Sequence, residues 1–300
     1  MSKFSILMNG YNCEQFVKEA IESVYAQSDL DWEIVFVDNC STDTTSEIVS
    51  KFDNRIKYHK TDFNIPLGEA RNIGLGLCTG DFIAFLDTDD LWLPEKISLQ
   101  RQMFDEDSSL KMIYTGAFFI DQNGNTIGGS VPKAKTGSVF SQQLKRYEIN
   151  MQSVVIRNDI DILFDPTKKY AEDFDLFLKL SVNYNVGVIP DKLVKYRKHS
   201  LNLSHNSKDI EWSEQYDILN DVFNSRPDLK IKYPREYNLA YARVAYYKAR
   251  YFVNNDNILL ARNSLKEYKL CSPFYFCLYV LLFLPSIFWQ RIHQKLRFFS

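Results

Sequence analysis

Apolar runs and helical stripes alternate along the first 120 residues of the chain. Residues 4–8, 33–37, 56–59 and 82–86 each read as a short strand, most plainly Phe82-Ile83-Ala84-Phe85-Leu86. Between them the apolar positions shift to helical spacing. Phe16, Ala20, Ile21 and Val24 share one face of a helix over 16–26. Ser41-Thr42-Asp43 resembles a helix N-terminus ahead of 45–49, and Pro66 stands near the start of a helix over 66–77. A helix over 95–104 and a strand over 112–119 follow. This alternation predicts an α/β fold with a mostly parallel sheet and helices on both faces. Ligands of such sheets bind beyond the carboxyl ends of the strands. Three polar clusters, 9–12, 38–43 and 87–90, fall at those ends.

The pattern then loosens. Asn123-Gly124 marks a hairpin turn, and the Gly- and Lys-rich stretch 128–137 predicts a mobile loop. Residues 152–157, 186–190 and 193–196 read as strands, and 171–182 as a helix. Residues 209–268 read as helices, one with a small-residue stripe of Ala242, Ala245 and Ala249. Residues 270–290 carry no charge. The expected division is a catalytic domain over 1–205, a helical extension over 206–269, and an apolar and basic segment over 270–300.

A net charge of −2, with no basic stripe in the first 200 residues, argues against a nucleic-acid partner. The five cysteines are odd in number and lack CxxC spacing, which argues against a disulfide framework and a zinc site. Met1-Ser2-Lys3-Phe4 runs straight into a strand pattern without a signal peptide, so the catalytic part is expected in the cytoplasm.

Asp87-Thr88-Asp89-Asp90 is the most informative cluster. Its three carboxylates repel one another at a strand's end, so a cation would let them sit together. Oxygen ligands at that density suit Mg2+ or Mn2+, and Mg2+ binds through one or two carboxylates plus substrate phosphates. A solvated acidic turn ahead of the next helix is the competing explanation.

Further segments complete a pattern. They are Ser5–Asn12, Ala20–Gln27, Val37–Asp43, Gly68–Gly74, Ala171-Glu172-Asp173-Phe174-Asp175-Leu176 and Tyr196-Arg197-Lys198-His199. Together with the aspartate cluster, their order resembles the family 2 inverting glycosyltransferases of the GT-A fold, of the bacterial surface-glycan type, over residues 4–205. The resemblance implies a Rossmann-like GT-A domain and a metal-dependent sugar transferase with a nucleotide-sugar donor, most simply UDP-linked. By the same resemblance Asn9, Tyr11, Asp38 and Arg71 serve the nucleotide, with Tyr11 against the base and Asp38 accepting from the uracil N–H. Asp87 supports the ribose or its loop. Asp89, then Asp90, and His199 hold the metal. Asp173 is the general base, with Glu172 beside it facing the acceptor. Asp43 is expected to cap a helix, and Trp92 either packs under the loop or touches the sugar. Asn9-Gly10 and Asn39-Cys40 depart from the family's more frequent Pro-Thr and Asp-Gly, which leaves a dTDP-linked donor open.

Two other functions compete. A sugar-nucleotide nucleotidyltransferase would open with a glycine-rich, Arg-containing phosphate loop. Residues 9–13 have one glycine and no cation. A non-catalytic sugar-binding module would be marked by loss of the base or metal carboxylates, and both Asp173 and Asp89 are present. The acceptor, a saccharide or lipid-linked saccharide, would be chosen by 128–137 and the region after 140. Basic flanks around 270–290, with Pro273 and Pro285 inside, predict attachment to the inner face of the cytoplasmic membrane rather than a span. Packing on the catalytic domain, or on a second subunit of a homo-oligomer, is the competing outcome.

Overall fold

The computed structural model describes residues 3–199, 202, 211–284 and 288–289. It divides into two compact units, Met1–Val139 with Glu148–Ser200, and Phe140–Tyr147 with Leu201–Ser300. The break near 200 lies close to the expected boundary at 205. The second unit also takes in 140–147, and the described residues of the expected segment 270–300, namely 270–284 and 288–289, fall within it.

The first unit is built on a nine-stranded sheet. Strands β1 (Phe4–Gly10), β2 (Trp32–Asp38), β3 (Ile56–Lys60) and β4 (Phe82–Phe85) are parallel, in the order β3-β2-β1-β4. Next to β4 lies the antiparallel β8 (Val155–Arg157), then β6 (Leu110–Ile120), which runs parallel to β9 (Asn185–Arg197). The two-residue β5 (Leu91–Trp92) pairs antiparallel with β9, and β7 (Thr126–Ser130) forms a hairpin on β6. The fold class is therefore the α/β one expected from the alternation.

Side chains alternate across the pleat, so each strand feeds two cores. Phe4, Ile6 and Met8 pack with Ala20, Ile21 and Val24 of α1 (Val17–Tyr25) and with Ile97 and Phe104 of α4 (Lys96–Glu106). Leu7 points the other way, under α3 (Leu67–Leu77). A Cβ at Gly74 of that helix would stand 2.2 Å from Leu7 Cδ1, so glycine is what lets α3 approach the sheet. On the same face, Phe177 of α6 (Glu172–Asn183) meets Phe85 edge-on at 6.1 Å. The short α2 (Thr45–Val49) follows β2.

Two sequence expectations change here. Strand β9 is continuous where the sequence read as two strands, 186–190 and 193–196. Its pairing slips between Thr115↔Ile189 and Gly116↔Lys192, so Pro190 and Asp191 form a bulge where a missing N–H costs no ladder bond. The stretch 128–137 begins as strand β7. Its far end is tied by the Gly137↔Val186 bridge, and Glu148 accepts from the Lys133 and Ala134 N–H groups. It is a fastened loop, because these partners lie beyond the reach of a local pattern.

The second unit is helical. It comprises α5 (Phe140–Lys145), α7 (Glu211–Ser225), α8 (Asp228–Lys232), α9 (Pro234–Asn254), α10 (Ile258–Lys266) and α11 (Pro273–Leu281) among the described residues. The alanine stripe of α9 faces its core, where Ala242, Ala245 and Ala249 meet Ala261, Leu265, Tyr275, Leu278 and Trp289. Arg243 donates to the Gln143 and Leu144 carbonyls, and Lys145 pairs with Glu236 at 3.1 Å, so 140–147 is held to α9.

Candidate active site

The first parallel strands deliver their polar ends side by side, Gly10 in register with Asp38. The Asn9 amide nitrogen is buried and has no hydrogen-bond partner, while Tyr11 is 54% exposed. These are an unspent donor and an open ring, which suit a planar base. The two strand ends are knitted together. Asn12 donates its N–H to Ser41 Oγ at 2.9 Å, and its side-chain carbonyl accepts from Thr42 N–H at 2.8 Å. Asp43 accepts from the Thr45 and Glu14 N–H groups, one residue ahead of Thr44, which stands at the N-cap position of the helix 45–49.

Asp38, expected at the base, is also bound within the fold. It is fully buried, with Oδ1 accepting from Ser41 N–H at 2.7 Å and Oδ2 from the Tyr58 hydroxyl. The turn explains this. Cys40 takes φ +64°, where glycine is favoured, and the buried Ser41 N–H then needs an acceptor. Burial and the Asp38 carboxylate both push the Tyr58 hydroxyl pKa upward, so it remains a donor. Asp38 braces the pocket floor.

The aspartate loop follows β4. Asp89 Oδ2 is 2.9 Å from His199 Nε2, and the imidazole packs on Phe16 at 5.2 Å between centroids. Asp90 is fully buried. Its Oδ1 accepts from Arg197 N–H at 2.7 Å, and its Oδ2 has no partner. Burial raises the pKa of both Asp89 and Asp90, and the neighbouring carboxylates raise them further. His199 opposes this at Asp89, and Arg197 at Asp90. Trp92 is buried under the loop, donating to the Gln152 carbonyl at 2.9 Å, with the Lys96 ammonium 3.9 Å from its ring.

Arg197 received no role from the sequence, yet it organises this loop. Its Nε donates to the Asp89 carbonyl at 2.8 Å, its Nη2 reaches Glu19 at 2.7 Å, and its guanidinium lies 4.5 Å over Phe16. Period-two alternation places Arg197 opposite to Tyr196, a signal that points it inward once the strand is known.

The third group joins two helices. Arg71 of α3 is 5% exposed, with Nη1 2.6 Å from Glu172 and Nη2 3.1 Å from Asp87. Glu172 therefore does not face an acceptor. It is 6% exposed and spent on Arg71, because a buried guanidinium needs counter-charge. Arg71 likewise acts through carboxylates rather than by an open face of its own. Beside Glu172, the half-buried Asp173 stands in the first turn of α6, where its Oδ1 accepts from Phe174 N–H at 2.6 Å. Replacing Arg71 with alanine should cost about 3–5 kcal/mol, since Glu172 would remain buried and unpaired. Arg71→Lys keeps the charge but cannot fork to both carboxylates. It is expected to fold and to lose turnover at least about tenfold. Thermal melts and steady-state kinetics check both; an unchanged melt for Arg71→Ala would remove the bridge from consideration.

Among the described residues, no group of three His, Cys, Asp or Glu side chains is placed to enclose a metal. The donors at hand are Asp89 and His199, in contact with each other, with the unpartnered Asp90 oxygen behind them. Two protein donors in a carboxylate-rich loop fit a hard or borderline cation whose remaining positions go to phosphates and water.

Known proteins resemble this chain in sequence and in fold. Residues 5–159 match the Glycosyl transferase family 2 domain. The chain is 31% identical over 236 residues to the Escherichia coli UDP-Glc:alpha-D-GlcNAc-diphosphoundecaprenol beta-1,3-glucosyltransferase WfgD, covering 78% of this chain and 91% of that protein. In fold it is similar to S. aureus TarS 1-349, solved with UDP-GlcNAc, with a TM-score of 0.68 at 20% identity over 98% of this chain and 91% of that one. It is also similar to the Pyrobaculum calidifontis mannosyltransferase PcManGT, solved with GDP-Man and Mn2+, with a TM-score of 0.63 at 14% identity, covering 96% and 83%. The sheet is thus of the GT-A type, and the chain belongs to glycosyl transferase family 2 and is a glycosyltransferase.

Proposed function

We propose that this enzyme moves a sugar from a UDP-linked donor to a hydroxyl of a saccharide or lipid-linked saccharide in surface-glycan synthesis, with inversion and with a divalent metal. The bridge Glu172–Arg71–Asp87 carries this reading, because it fixes the helix bearing Asp173 to the loop bearing Asp89. The donor base rests against Tyr11 and the unpartnered Asn9 amide, over a floor braced by Asp38. Asp87 turns toward the ribose while held by Arg71. Asp89 and His199 hold Mn2+ or Mg2+, and Asp90 backs the loop from behind. When bound, the metal supplies positive charge to the diphosphate as it leaves.

Asp173 accepts the acceptor hydroxyl's proton while that oxygen bonds to the anomeric carbon. The bond from the anomeric carbon to the diphosphate breaks on the opposite face, and the configuration inverts. The name of the E. coli relative, which acts on a diphosphoundecaprenol-linked GlcNAc, supports a lipid-linked acceptor here.

A panel of UDP-, dTDP- and GDP-sugars with Mn2+, assayed for nucleoside diphosphate release without acceptor, tests this. One UDP-sugar is expected to be hydrolysed slowly, and excess chelator to stop it. Turnover of GDP-sugars alone would overturn the donor class, and turnover in chelator would overturn the metal.

A further inference from the structure

Helix α11 is amphipathic in an unusual sense, because both of its faces are apolar. Tyr275 and Leu278 turn inward to the core of the second unit, as does Leu282 just beyond the helix. The outward positions are Phe276, Val280, Phe283 and Leu284, which are 48%, 45%, 56% and 46% exposed. Cys277 is exposed on the same stretch, and no charged residue occurs from 270 to 290. A helix packed on one side and facing water on the other normally carries polar residues outward. Contiguous outward apolar residues of this kind mark an interaction surface.

The cations at the edge indicate what covers this surface. Arg262 donates its Nε to the Leu282 carbonyl at 3.0 Å and lays its guanidinium 4.3 Å over the Phe283 ring. The Lys269 ammonium lies 5.0 Å from the Tyr279 ring. Lys266 is exposed nearby in sequence, and Glu267 is the one acidic residue from 258 to 284. The sequence beyond adds Arg291, Lys295 and Arg297. Aromatic rings in an apolar stripe, with cations reaching across them, match the chemistry of the bilayer interface. There the rings sit at headgroup depth and the cations meet anionic lipid. The nine residues of α11 rise about 14 Å, against a hydrocarbon core of about 30 Å. Among the described residues no helix is long and apolar enough to cross a membrane.

We propose that α11 and the turn after it dock the enzyme on an anionic bilayer, lying in its plane with Phe276 and Val280 of the helix and Phe283 and Leu284 of the turn inserted and Arg262, Lys266 and Lys269 at the headgroups. Nothing in this depends on the transfer reaction, so either proposal can fail alone. The test is flotation of the full chain with vesicles of phosphatidylcholine alone or with about one-third phosphatidylglycerol. Binding is expected to the anionic vesicles and to weaken with salt. Phe276→Ser with Val280→Ser should abolish it. Lys266→Gln with Lys269→Gln should weaken it roughly 25-fold, about fivefold per cation. All of these positions lie outside the catalytic machinery, and circular dichroism with a thermal melt serves as the folding control and is expected to stay unchanged. Absence of binding to anionic vesicles by a folded full chain overturns the proposal. So does a dimer in light scattering that the serine pair converts to monomer without any lipid binding, since a second copy would then cover the face.

Discussion

Asp89→Ala is expected to abolish release of nucleoside diphosphate from the donor, with a fall of at least about 10³-fold. Metal-assisted stabilisation of a leaving diphosphate is worth several kcal/mol, and each 1.36 kcal/mol is tenfold in rate. The variant separates a chemical effect from a folding effect unusually well. Burial and Asp87 disfavour the charged form of the Asp89 carboxylate, and His199 at 2.9 Å offsets part of that. Removing the carboxylate relieves that repulsion, so the melting temperature should hold while activity goes. His199→Ala should be milder, about 10–100-fold, because a carboxylate still remains for the cation. Both are measured as donor hydrolysis across Mn2+ concentrations. Full activity of Asp89→Ala in excess chelator would remove both the metal and its assigned ligand.

Asp173→Asn should lower turnover by roughly 10²–10⁴-fold with donor affinity retained, the range for a lost acid–base group. The substitution preserves shape and leaves a side-chain oxygen for the Phe174 N–H. The apolar residues behind it, Phe174, Leu176, Phe177 and Leu180, are all buried and keep α6 in place. A change in kcat without a change in donor KM identifies an interaction made only in the transition state. Normal turnover by the asparagine variant would mean another group takes the proton.

The strands and helices of the parallel half were readable because each buries a face whose period shows in the sequence. The aspartate loop was readable because carboxylates seldom crowd without cause. What stayed hidden were pairings made across the fold. Glu172 looked like an outward acid until Arg71, 101 residues earlier, was found against it. Arg197 carried no local mark of its bonds to Asp89 and Glu19. Asp38 was recognisable as a site residue, but its use was not, since that depends on the left-handed turn at Cys40. Strand β5 has two residues, too few to show any period, and the bulge at Pro190 and Asp191 interrupts the pattern that would have shown β9 as one strand.

The span of these contacts also sets an order of assembly during synthesis. Asp89 meets His199 across 110 residues, and Glu19 meets Arg197 across 178. Closing such loops is entropically costly and slow compared with local pairing. Strands β1 to β4 can associate as soon as residue 85 has emerged, but the Asp89–His199 contact cannot form until the chain has passed β9. A chain released early would therefore carry the ends of β1, β2 and β4 without the imidazole that meets Asp89.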